Sequence, residues 1–125
     1  MTHLDTSFLI PALVSGSTED RRLQTWLRSK EHVAVSVIVW TEFLCGPVDP
    51  RQVDLMGQVV GESVPFLPRD AALAARLFNL SGRKRGTLTD CMIAATAIRQ
   101  GASLAISNVG DFSRLEPHGL RLLPL

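Results

Sequence analysis

Short apolar runs alternating with longer stretches of helical periodicity constrain this chain most. HVAVS at 32–36 and SLAISN at 103–108 are too short and too apolar for surface helices, and they read as buried strands. A first strand ends at His3–Asp5, and LRLLPL at the other end reads as a final edge strand. Between them the punctuation is regular. A helix carrying Pro11 follows the first strand, and GSTEDRRLQTWLRSK supplies Ser17 or Thr18 as cap with Leu23, Trp26 and Leu27 at helical spacing. VIVWTEFLCG stops at Gly46, and DPRQVDLMGQVVG starts with Asp49 as cap and Pro50 at the first helical position. SVPFLP at 63–68 is a strand or an extended link, RDAALAARLFNLSGRK a helix, and TLTDCMIAATAIRQG a helix capped near Thr87 or Thr89. This alternation predicts a three-layer α/β/α sandwich with a short, mostly parallel central sheet. Right-handed crossovers would place helices on both faces.

The 125 residues suit one domain over 1–125, large enough to stand without disulfide or structural metal. Net charge is only +1, so affinity for a polyanion has to come from a local patch. Cys45 and Cys91 fit no zinc pattern and are expected to be buried free thiols. With no secretory leader and no apolar run of membrane-spanning length, a cytoplasmic location is expected.

Four acids break this pattern. Asp5 lies between apolar residues at the end of the first strand. Glu42 sits among Val39, Trp40, Phe43 and Leu44, and so is expected off the solvated face. Asp90 falls in the first turn of a helix with no cation three or four residues on, and Asp111 follows the SLAISN strand. Each has a plainer role open to it: Asp5 as a cap, Asp90 as a dipole complement, Asp111 as a turn residue. Together, however, they map to the carboxyl edge of the sheet, where open parallel sheets bind ligands. Lysine and arginine cluster elsewhere, at 21–30 and 83–85, so the acids are expected to be unpaired. Crowded carboxylates repel and take up protons, a penalty that a divalent cation removes; hard oxygen donors select Mg²⁺ or Mn²⁺.

LDTSFLI, SVIVWTEFLCG, LTDCMIAATAIRQG and LAISNVGDF together resemble the four signature blocks of the PIN domain, in order over nearly the whole chain. Within that superfamily the short length resembles the ribonuclease toxins of VapBC toxin–antitoxin modules. The resemblance implies a Mg²⁺- or Mn²⁺-dependent endoribonuclease, a homodimer and a cognate antitoxin. It carries the acidic site onto Asp5, Glu42, Asp90 and Asp111, and the hydroxyl of the first block onto Thr6 or Ser7. Ser107 stands where the family commonly has threonine, before Asn108. Asp5 and Asp90 are then expected to ligate metal directly, Glu42 directly or through water, and Asp111 through water or a second ion. Arg83, Lys84 and Arg85 are the candidate contacts to RNA phosphates, balanced against a simple exposed helix end. Neither GxGxxG nor GxxxxGK[ST] occurs, which argues against a nucleotide-binding module. DTS lacks the second acid of a DxD phosphatase. The main alternative is a catalytically inactive PIN-like module that binds RNA or protein.

Overall fold

The computed structural model describes residues 1–124. Four strands, β1 (Thr2–Leu4), β2 (Val33–Ala34), β3 (Ser103–Ile106) and β4 (Leu122–Pro124), form one sheet in the order β2-β1-β3-β4, with every pairing parallel. Six α-helices connect them: α1 (Thr6–Ala12), α2 (Thr18–Arg28), α3 (Val37–Leu44), α4 (Pro50–Val60), α5 (Pro68–Leu80) and α6 (Leu88–Arg99). A 3₁₀ helix, Gly110–His118, joins β3 to β4. The expected α/β/α sandwich is thus present, with β4 at the sheet edge. Leu125, the last residue of the expected final strand, lies outside the described residues.

The strands are shorter than their apolar runs. In HVAVS only Val33 and Ala34 pair with β1, because Ser36 turns out to cap α3, its hydroxyl accepting from the Val39 amide at 3.1 Å. SVPFLP is an extended link that touches the sheet once. Val64 exchanges backbone hydrogen bonds with Val35 and Val37, each 2.8 Å. Asp49 and Gln52 form the reciprocal cap that opens α4.

Leu4, Phe8, Leu9, Val35, Phe43, Leu104 and Ile106 make the centre of the core. α6 runs through it, with Ala94, Ala95 and Ala97 fully buried, their small side chains letting the helix approach its neighbours closely. Phe8 stacks on Trp26 at 5.4 Å, which seats α2 against α1. α5 is fastened to α6 by a pair that sequence patterning did not single out. Asp70, 1% exposed, meets Arg99 Nε at 2.7 Å, and it also accepts from the Leu67 amide at 2.9 Å. Arg99 in turn donates to the Pro65 carbonyl. Cys91 is buried as expected; Cys45 is exposed, because it caps the end of α3 outside the stripe that Val39 and Phe43 turn inward. No described helix is long and apolar enough to cross a membrane.

The strand order fixes where a site can form. From β1 the chain moves to β2 on one side; from β3 it moves to β4 on the other. The reversal opens a crevice at the carboxyl ends of β1 and β3.

Candidate active site

Asp5 stands at that crevice. Its amide donates to the Ala105 carbonyl of β3 at 3.0 Å, and its own carbonyl starts α1 by accepting from Phe8 and Leu9. The carboxylate caps the helix through Oδ2, which accepts from the Ser7 amide at 3.1 Å. The capping role weighed from sequence is therefore real, and it explains how an acid can be only 6% exposed in this position. One hydrogen bond leaves most of its lone-pair capacity free.

The hydroxyls beside it divide two tasks. Thr6 Oγ1 donates to Glu42 Oε1 at 2.8 Å, tying α1 to α3. Ser7 Oγ accepts from the amides of Ser107 and Asn108, at 3.1 and 3.4 Å, and so fixes the chain as it leaves β3. Ser107 and Asn108 thus serve this edge through their backbones. Glu42 departs from expectation: it is exposed. A two-turn helix buries one stripe, here Val39 and Phe43, and Glu42 falls beside that stripe rather than in it.

Asp90 lies in the first turn of α6, partly buried. Burial, and then the charges of Asp5, Glu42 and Asp111, push its carboxyl up from 3.8 to about 6. The other three acids therefore all act on Asp90 across this edge. Asp111, in the first turn of the 3₁₀ helix, differs from the rest. Lys84 Nζ sits 2.7 Å from its Oδ1 and Arg114 Nε 3.6 Å away, and the lysine's hydrogen bond holds its carboxyl below the usual range.

The expectation of four unpaired acids thus fails at Asp111. Arg114, three residues on in a helical turn, was detectable from spacing alone; Lys84, 27 residues back, was not. The basic stretch is also less uniform than its sequence suggests. Arg83 lies over the Phe78 ring at 5.2 Å and donates to Asn79 Oδ1, so it is turned back along α5.

Among the described residues, no three His, Cys, Asp or Glu side chains stand close enough to cage one metal ion as they are. Thr6 holds Glu42 and Lys84 holds Asp111, and mutual repulsion opposes convergence. The donor chemistry nonetheless suits a hard divalent cation, being carboxylate and hydroxyl oxygen throughout. A cation here would also reverse the proton uptake that burial and crowding impose on Asp90.

A PIN domain family model matches residues 3–116. No curated protein matches the chain. Among solved structures, VapBC2 from Rickettsia felis bound to a promoter DNA fragment superposes with a TM-score of 0.79 at 20% identity, covering 99% of this chain and 98% of that one. DNA-bound VapBC from Salmonella typhimurium gives 0.76 at 18% identity, over 98% and 96%. A toxin–antitoxin complex from Klebsiella pneumoniae gives 0.70 at 25% identity, over 90% and 91%.

Proposed function

This chain belongs to the PIN domain family, and from that premise we propose that it is a Mg²⁺- or Mn²⁺-dependent endoribonuclease, the toxin of a toxin–antitoxin pair. The observation that carries the reading is Asp90, at the topological switch point of a parallel sheet, whose carboxyl is raised first by burial and then by the charges of three other acids. A structural acid gains nothing from such company; a metal ligand needs it.

Asp5, Asp90 and Glu42, with Asp111, would hold the cation. When bound, it supplies charge stabilisation for phosphodiester hydrolysis. The remaining work belongs to the chain. Asp5 is fixed by its cap and by β3, so it offers its carboxylate at a set position. Glu42, exposed and oriented by Thr6, takes a proton from the attacking water. Lys84 and Arg85 bind the phosphates of a single-stranded or looped RNA, be it tRNA, rRNA or mRNA; Arg83, committed to Phe78 and Asn79, does so less.

The toxin assignment draws support from the toxin–antitoxin complexes among the similar structures. A cognate antitoxin and a homodimer are part of the same proposal, as is a cytoplasmic site of action. One observation favours the second reading, an inactive PIN-like module that binds RNA or protein: the carboxylates do not already form a cage.

Incubating labelled total RNA, tRNA included, with the purified protein separates the two. Discrete fragments that require Mg²⁺ or Mn²⁺, vanish with chelator and vanish in Asp90→Asn are expected. An intact RNA pool together with no metal binding leaves the inactive module.

A further inference from the structure

The segment between α5 and α6, residues 81–87, is more elaborately fixed than a solvated connection needs. α5 closes with the Ser81 amide on the Leu77 carbonyl and the Arg83 amide on the Phe78 carbonyl, both at 2.9 Å. Gly82 and Arg83 then take left-handed backbone angles, φ +99° and +54°. For arginine, which carries a Cβ, that conformation is unfavourable. It is held in place because the guanidinium lies over Phe78 and donates to Asn79.

Next, the carbonyl of Lys84 accepts twice from Thr87, from its amide at 3.2 Å and from its hydroxyl at 2.7 Å. Thr87 is 4% exposed and occupies the N-cap of α6, where a hydroxyl ordinarily serves the helix. Here it makes no capping bond; it is given over to Lys84. The outcome is that Lys84 Nζ reaches Asp111 Oδ1 at 2.7 Å, from the segment that immediately precedes Asp90.

We propose that Lys84 is a built-in counter-ion that competes with the divalent cation for Asp111, so that metal binding frees its ammonium for an RNA phosphate. The proposal rests on the metal-dependent reading of this site given above. Without metal, the lysine removes one of the four negative charges from the edge. The pair is half exposed, at 48% for Lys84 and 32% for Asp111, so it is weak and readily exchanged. A divalent ion outbids a single ammonium for the same carboxylate. The four-carbon stem then lets the released charge swing to a phosphate without moving the loop. Metal and RNA therefore bind cooperatively, each favouring the other.

The test is Mn²⁺ affinity, measured by titration calorimetry on the full chain without RNA at low ionic strength. Lys84→Gln is expected to tighten Mn²⁺ binding about two- to fivefold, the range of an exposed ion pair, and Lys84→Arg to leave it near wild type. In an Asp111→Asn background, Lys84→Gln should have no further effect. A labelled 2′-O-methyl RNA oligonucleotide, followed by anisotropy, should gain affinity on Mn²⁺ addition in wild type and gain less in Lys84→Gln. Unchanged or weaker Mn²⁺ binding in Lys84→Gln overturns the proposal and leaves the metal site standing. An equal Mn²⁺-dependent RNA gain in both proteins overturns the release step. Absence of Mn²⁺ binding by wild type itself removes the metal reading, and this proposal with it.

Discussion

Asp90 and His3 are the two side chains whose protonation this fold alters most, and they pull stability in opposite directions. His3 is 1% exposed with no partner on Nε2 among the described residues. Burial lowers it from 6.5 to about 4, with Arg99, His32 and the terminal ammonium adding to the effect. Between those values the unfolded chain binds a proton that the folded one refuses, so stability falls as pH drops from 6.5 towards 4. Asp90 runs the other way. Its folded carboxyl keeps a proton up to about pH 6 and its unfolded one only to 3.8, so without metal it adds stability as pH falls from 6 to 4. In chelator the two effects partly cancel. Asp90→Asn should raise the metal-free Tm at pH 7 by a few degrees, on the order of 1 kcal/mol after solvent screening. It should also make Tm fall more steeply with acid, because His3 then acts alone. Parallel Tm–pH curves for wild type and variant would contradict this assignment. At this scale Asp5 and Asp90 were legible in the sequence, since an acid inside an apolar segment is anomalous whatever the fold. Glu42's exposure was not, because it depends on how a two-turn helix rolls against the sheet. The charge state of Asp111 was not legible either, since its partner comes from another element.

Elements here are held by a few polar joints set into an apolar body. The Asp70–Arg99 pair is the most buried of these and links the two longest helices. Asp70→Asn leaves the Arg99 charge without its partner and should destabilise by about 3 kcal/mol, read as a loss of roughly 10 °C in Tm. Replacing both, Asp70→Leu with Arg99→Met, should recover part of that loss. A Tm for Asp70→Asn within a degree of wild type would show that the pair contributes nothing. Most helices were readable because their stop and start signals are local: Asp49 with Gln52 and Pro50, Ser17, and the apolar spacing of α5 and α6. The strand ends were harder. A parallel strand is cut where its neighbour ends, and HVAVS loses its last residues to the cap of α3. The Asp70–Arg99 joint stayed hidden because its members are 29 residues apart and each looks solvated in its own helix.

Over the whole molecule, topology does what no single element can. The strand order puts the exits of β1 and β3 side by side, and α3, α6 and the 3₁₀ helix bring Glu42, Asp90 and Asp111 to the same edge from three other parts of the chain. The order of apolar segments already implied this edge; the distances within it came only from the folded chain. Under the proposed function these four acids close around a divalent cation. Anomalous scattering from crystals soaked in Mn²⁺ tests it most directly. A manganese peak is expected at metal–oxygen bonding distance, about 2–2.5 Å, from Asp5 and Asp90, with Asp111 turned from Lys84. A map with no peak at this edge, or with manganese bound elsewhere, would contradict it.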